Sequence, residues 1–369
     1  MDEVTSLLIL THTPYLGHVR IQRLISHFGS ALQTFRAIHE SNSGSFPIKL
    51  RKESIEFIST FERQQSWQQD LERVLQEGIQ LLPITSPLFP KKLRLIHNAP
   101  SLLYLKGQFP DPKQPAIGII GTRSSSYTGN DQALHFAKTL SQAGCTIISG
   151  LARGIDTYAH QGSLAGKNGL TLAVIGSGLG QIYPQENIGL ANAISQNGAI
   201  ISELPYQEPP SRFTFPQRNR IIAGLSDILL LIEAPQKSGA MITMEIGHKQ
   251  KKPLFALPGK AGSLTCAGNH FLIKQRIAQL IDNPDEILYL FGKKQTAAST
   301  PRALNIPSIL NPDEQKIIDQ LQEGDISLEE LAGRISLPIA ALQAQLVKLI
   351  LRKFILELPG KRYKLLSPL

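Results

Sequence analysis

Apolar and polar positions along this chain of 369 residues change their spacing twice, and each change marks a different architecture. Through residues 3–64, Leu7, Leu8, Leu10, Val19, Ile21, Leu24, Ile25 and Phe28 recur at helical spacing, with turns at Pro14, Gly17 and Gly29. Asn42-Ser43-Gly44-Ser45 breaks that pattern, and a second helical stretch runs to about Gly78. An irregular, Pro-containing segment follows from Leu82 to Gly107. From Ala116 onward the period shortens. Near-continuous apolar runs at 116–120, 146–149, 171–175, 199–202, 228–232 and 254–257 alternate with amphipathic stretches such as 131–142. Such runs suit parallel strands covered on both faces. The alternation predicts an α/β fold built on an extended, Rossmann-like doubly wound sheet. Its ligand is then expected at the carboxyl ends of the strands.

Beyond that region, residues 293–308 are small, polar and Pro-bearing, which reads as a linker. From Ile309 come three helical stretches, then two short strands around a Pro-Gly turn within 354–366. Helices followed by a hairpin in about sixty residues predict a winged helix-turn-helix. The expected organisation is a helical domain over 1–78, an extended Rossmann-type domain over 79–292, the linker, and a winged-helix domain over 309–369.

Charge sharpens this picture. A formal charge of +9 makes an anionic partner plausible. Cys145 and Cys266, the two cysteines, fit neither metal-ligand spacing nor a disulfide framework, and Cys145 reads as a buried, inert thiol. The first residues, Met-Asp-Glu-Val-Thr-Ser, are acidic where a signal peptide needs positive charge. The longest apolar runs fall far short of a membrane span. A cytoplasmic protein without membrane contact is expected.

The chemistry gathers at the strand ends. The first strand of the repeat ends in Gly121-Thr122-Arg123, where a guanidinium and hydroxyls suit a phosphate. No full dinucleotide fingerprint follows it, and no acidic residue closes the second strand to grip a ribose. The second strand ends in Ser149-Gly150, and Arg153 and Gly154 lead into a helix whose amino end favours an anion. Asp156 and His160, spaced i, i+4, admit two readings: an acid/base pair, or a helix-flanking Asp with His packed beneath the loop. Gly176, Gly178 and Gly180 end the third strand and leave room for a tight turn or a bulky ligand. In the segment 209–220, Arg212, Arg218 and Arg220 interleave with Phe213 and Phe215, one of them expected in the core. Cations that hold phosphates beside a ring that stacks on a base are how single strands are gripped without reading sequence. Asn219 reads as a helix cap. Lys237, Ser238 and the helical Thr243 repeat the anion-site pattern after the fifth strand. No Walker A loop, nucleophile elbow or zinc motif occurs, so no catalytic set, metal or cofactor is expected.

Gly-Thr-Arg, Ser-Gly-Leu-Ala-Arg-Gly-Ile-Asp, Phe-Pro-Gln-Arg-Asn-Arg-Ile-Ile-Ala-Gly and Lys-Ser-Gly-Ala-Met-Ile-Thr, in this order, resemble the bacterial DNA-processing protein A (DprA/Smf) family. The similarity is strong over residues 80–290 and looser in the flanks. It implies an extended Rossmann domain that binds single-stranded DNA, a homodimer, and loading of the RecA recombinase in natural transformation or recombination. It also implies that Arg123, Arg212 and Phe215 contact the DNA, with the Gly150–Gly154 loop and Lys237 lining the same groove. The N-terminal part is similar to the family's helix-hairpin-helix, SAM-like domain, although Pro14-Tyr15-Leu16-Gly17 lacks a second glycine. Arg276-Ile277 stands where the family usually has Gly-Ala.

Two other readings have their own signals. A nucleotide-processing Rossmann-like hydrolase would use 238–243 with Glu245, a distant echo of a Gly-Gly-x-Gly-Thr-x-x-Glu loop. A transcription regulator would read duplex DNA through the helix over 338–351, which offers Gln343, Gln345 and Lys348. From 309 to 369, however, eight Lys/Arg balance eight Asp/Glu, which suits a partner-binding or weak duplex-binding module better.

Overall fold

Strands form where the sequence carries its unbroken apolar runs, and they assemble into one large sheet. The structure, a computed structural model, describes residues 1–40, 46–167, 169–293, 310–322, 324–335, 337–352 and 354–366. The Asn42–Ser45 break lies outside these residues, as does all of the expected linker except Lys293. Two units are distinguished, Met1–Thr296 and Ala297–Leu369.

The first unit opens with helices α1 (Glu3–His12), α2 (His18–Phe28), α3 (Ala31–Glu40), α4 (Lys52–Ser59) and α5 (Gln65–Gln76). Strand β1 (Gln80–Pro83), the short α6 (Lys91–Arg94) and β2 (Leu102–Gly107) follow. The βα repeat then runs β3 (Ala116–Ile120), α7 (Tyr127–Gln142), β4 (Thr146–Ser149), α8 (Ile155–Leu164), β5 (Leu170–Val174), α9 (Ile188–Gln196) and β6 (Gly198–Ser202). It continues with α10 (Thr214–Leu225), β7 (Ile228–Leu231), α11 (Gly239–Lys249), β8 (Leu254–Ala256), α12 (Ala267–Lys274), β9 (Gln279–Leu280) and α13 (Pro284–Leu290).

Among the described residues the sheet has nine strands in the order β1-β2-β6-β5-β4-β3-β7-β8-β9. Strands β3 to β9 are parallel, with Ile117 of β3 opposite Ile147 on one side and Ile228 on the other. The chain winds outward from β3 to β6, then returns to place β7 against the other edge of β3. Their carboxyl ends part there, at the topological switch point where doubly wound sheets bind ligands. The segment read as irregular from its prolines supplies β2 and the end of β1; β2 pairs antiparallel with β6, and β1 pairs antiparallel with β2 at the edge. Pro87, Pro90 and Pro100 fall between those strands, so they interrupt the period without breaking the pairing.

The N-terminal helices pack onto this sheet through a shared core. Leu7, Ile9, Leu24 and Ile58 cluster with Leu102, Tyr104, Ile175 and Ile200. Inside that contact the Tyr104 hydroxyl donates to Asp70 Oδ2 at 2.7 Å, and the Tyr206 amide donates to Asp70 Oδ1 at 2.6 Å. Arg276, at the family's glycine position, takes a left-handed φ of 55° just past α12. Cys145 is buried, and burial pushes its thiol up to about 11.

The second unit has α14 (Pro312–Leu321), β10 (Ile326–Ser327), α15 (Leu328–Arg334), α16 (Ile339–Leu351), β11 (Ile355–Leu358) and β12 (Arg362–Leu365). Capping boxes start two of the helices, Asn311 with Glu314 and Ser327 with Glu330. The wing strands β11 and β12 pair antiparallel, and β10 adds a third strand. Among the described residues no single helix is long and apolar enough to cross a membrane.

Candidate nucleic-acid interface

The switch point between β3 and β7 opens into a cleft of about 440 Å³, walled by the starts of α10 and α11. Gly121, Thr122, Arg123, Arg212, Phe215, Arg218, Asn219, Lys237, Ser238 and Thr243 all line it. Arg123, Arg212 and Lys237 are exposed, and no ion pair within 4 Å engages them among the described residues. The Arg123 guanidinium stands 4.7 Å from the centroid of the half-buried Phe215 ring, and Arg212 stands 4.9 Å from that of Phe213. The α11 end is locally capped: Ser238 Oγ accepts from the Met241 amide, and buried Thr243 back-bonds to the Gly239 carbonyl at 3.4 Å. Its exposed face therefore presents Lys237 beside a helix amino terminus, which favours an anion.

Beneath this exposed rim lies a buried cation. Arg218 is 6 % exposed, and its Nη1 donates to the Gly150 carbonyl at 2.6 Å and to the Val174 carbonyl. Burial lowers its pKa to about 10 while the Asp156 carboxylate pulls the other way, so it stays charged at neutral pH. Asp156 is itself buried and pushed upward by burial, against the pull of Arg218. It accepts from the Gly150 amide at 3.2 Å and the Ala152 amide at 3.4 Å, tying down the glycine loop. His160 is fully buried, with Nδ1 2.7 Å from Thr171 Oγ1, and burial lowers its pKa to about 3. It is neutral and packed beneath the loop. Of the two readings of this pair, the structure selects the architectural one.

The glycines near the cleft make room for protein side chains. A Cβ on Gly150 would lie 2.2 Å from Arg218 Nη1, and one on Gly176 would lie 2.8 Å from the Phe215 ring. Of the third-strand glycines, read as room for a tight turn or a bulky ligand, Gly176 is buried against Phe215, Gly178 is buried against the Pro205–Tyr206 backbone, and Gly180 is exposed with the Tyr206 ring against it.

Several expected site residues stand elsewhere. Ser149 is buried, donating to the Ile119 carbonyl at 2.7 Å. Gly150 is covered by Arg218, and Gly154 turns the chain into α8 at a φ of 70°. Arg220 is tied to Glu203 off the cleft, with both side chains 11 % exposed. Arg153 is exposed but paired with Glu186. Asn219 is not a cap: α10 begins five residues earlier with Pro216 in its first turn, and Asn219 Nδ2 reaches the Gly239 carbonyl at 3.4 Å. Neither Phe213 nor Phe215 joins the core, since Phe213 is exposed and Phe215 half-buried.

Sequence reasoning missed Tyr183, whose ring centroid lies 5.9 Å from that of Phe215. It also missed Glu233 at the end of β7, which is buried and accepts from both the amide and the hydroxyl of Ser126 at 2.9 Å. An acidic residue at a strand end was the available signal. Glu245, needed for the hydrolase reading, lies off the cleft and pairs with Lys249 at 2.7 Å on the exposed side of α11. Among the described residues no group of His, Cys, Asp and Glu is placed to hold a metal.

Residues 80–292 match the family model for DNA recombination-mediator protein A, and residues 297–361 match that of the DprA winged helix domain. The chain is 35% identical to Protein Smf of Escherichia coli (strain K12) over 290 residues, covering 76% of each protein. It is 37% identical over 201 residues to the DNA processing protein DprA of Bacillus subtilis (strain 168), covering 54% of this chain and 67% of that one. The X-ray structure of DNA processing protein A from Streptococcus pneumoniae is similar with a TM-score of 0.65 and 27% identity, covering 78% of this chain and 98% of that one. DNA processing protein A from Helicobacter pylori, described for its single-stranded DNA binding mode, is similar with a TM-score of 0.52 and 29% identity, covering 59% of this chain and 99% of that one. The chain belongs to the DNA recombination-mediator protein A family.

Proposed function

We propose that this protein binds single-stranded DNA in the switch-point cleft and, as a homodimer, helps load the RecA recombinase during DNA recombination or natural transformation. One observation carries the reading: Arg123, Arg212 and Lys237 stand exposed around the half-buried Phe215 at the rim of one cleft. Phosphates meet the cations, and an unpaired base has a ring to stack on. A duplex keeps its bases inside, so it forfeits the stacking contact. The single-strand binding described for the Helicobacter pylori relative supports the assignment. Asp156 and His160 are committed to holding the loop, which favours a binder over a hydrolase.

The homodimer draws support from β9, the last strand of the sheet among the described residues, which carries the exposed Leu280, and from Tyr289 and Leu290, exposed on α13. RecA loading rests on family membership and is tested by whether the protein speeds RecA assembly on a single strand. The cleft is tested by titrating salt against binding of labelled single and double strands. Single-strand affinity should fall with a log-log slope of about −0.7 per phosphate neutralised, and Arg123→Ala or Arg212→Ala should each flatten it by about one phosphate. Salt-independent binding, or wild-type slopes in both variants, would reject the assignment.

A further inference from the structure

Rings and cations continue beyond the cleft lining on the far side of Phe215. Past it stands the Tyr183 ring, 37 % exposed and inclined at 48° to Phe215. The Arg153 guanidinium lies 5.6 Å from the centroid of that ring, and its Nη1 donates to the Tyr183 hydroxyl at 3.3 Å. Arg123, Phe215, Tyr183 and Arg153 thus form one continuous run of cation, ring, ring and cation. The two halves come from different strand ends, β3 for Arg123 and β4 for Arg153, so no local sequence motif contains the run.

Arg153 is already occupied. Its Nε donates to Glu186 Oε1, and its Nη2 donates to Oε2 at 3.2 Å. This two-pronged geometry is also how a guanidinium holds a phosphate. Both side chains are about half exposed, 52% for Arg153 and 54% for Glu186, so the pair is weak and screened by salt. The hydrogen bonds from Arg153 also hold the Glu186 carboxyl below the usual carboxylate range, so it remains an anion in neutral solution.

We propose, on the reading that the cleft holds single-stranded DNA, that Tyr183 and Arg153 form a further nucleotide subsite beyond Phe215. In the free protein Glu186 fills the phosphate's place on Arg153, and the arriving strand displaces it. Glu186 is then a built-in competitor that lowers affinity and shortens the footprint of weakly held strands. Tyr183 supplies the ring on which the next base stacks.

The test uses the full-length protein and labelled oligothymidylate, with affinity measured across a salt series. Glu186→Gln should tighten binding about threefold at low salt and steepen the log-log slope by about one phosphate, near −0.7. The same change on an Arg153→Ala background should give no gain. Tyr183→Ala should weaken binding about tenfold, while Tyr183→Phe, which keeps the ring, should bind like the parent. Glu186→Gln that leaves affinity and slope unchanged, or weakens binding, overturns the competitor role. Tyr183→Ala that binds like the parent overturns the subsite. Arg123→Ala separates the two failures. If it weakens binding while Glu186 and Tyr183 variants are silent, the cleft stands and only the extension falls; if it too is silent, the cleft reading falls with it.

Discussion

Arg123 and Arg218 line the same cleft from neighbouring elements, and they have opposite lives. Arg123, at the end of β3, is exposed above the Phe215 ring, whereas Arg218, one turn into α10, is buried against the carbonyls of Gly150 and Val174. The difference is one of depth. At the β3/β7 rim, the parting of the strands leaves the side chains facing solvent. At the β4 and β5 ends, the glycine turns admit a guanidinium and a ring, which close the floor. One arginine is placed to meet a ligand, and the other is the counter-charge and hydrogen-bond donor that shapes the floor.

That contrast is open to direct attack. Its largest consequence concerns Arg218→Ala, which leaves the buried Asp156 carboxylate without its nearby counter-charge and the Gly150 and Val174 carbonyls without their donor. Stability should fall by about 3–5 kcal/mol in denaturant unfolding, with DNA binding lost alongside it. A loss below 1 kcal/mol would mean the floor does not depend on this cation. Phe215→Ala should instead act mainly on binding, costing about 1–3 kcal/mol of single-strand affinity with a smaller loss of stability. An affinity loss confined to duplex DNA would break the stacking argument.

The smallest expected effect is a pH slope. His160 has a folded pKa of about 3 against an ordinary value of 6.5, so between those values the unfolded chain binds the additional proton. Stability from this group is fully present above pH 6.5 and declines by about 1.4 kcal/mol per unit as pH falls toward 3. Asp156, raised by burial, works in the opposite sense above its ordinary 3.8, and His18 and His135, lowered by burial, add slope of the same sign, so the His160 contribution is the difference between the parent and a His160 variant. His160→Gln should remove that slope, and an unchanged pH profile would show that the imidazole is not held neutral.

Much of this was legible in the chain. The six apolar runs of the βα repeat all became strands, because a strand covered on both faces needs no polar position to be recognised. Strand β9 has two exposed residues and so carries no apolar signal. The glycine clusters announced that something approaches the backbone closely, but not that the visitor is a side chain from α10, far off in sequence. Arg218 was the more recoverable error. Arg218, Ile221, Ile222 and Leu225 share one helical stripe and all are buried, so phase alone placed this arginine inward. Arg220, two residues on, faces a different way and pairs with Glu203. Tyr183 gave little notice, since its neighbour in space is thirty-two residues away in the chain.

Asp70 has a reach that its place in the helical N-terminal segment does not advertise. It clasps strand β2 through Tyr104 and, through the Tyr206 amide, the stretch of backbone that runs on to Arg212 and Phe215. The front of the molecule is therefore a brace on the approach to the cleft, and loosening one side chain there would slacken the segment that carries Arg212 and Phe215. A chain begun after Gly78 would bare the apolar back of the sheet and leave that segment without its anchor, so under the proposed function the helices support the single-strand site from behind.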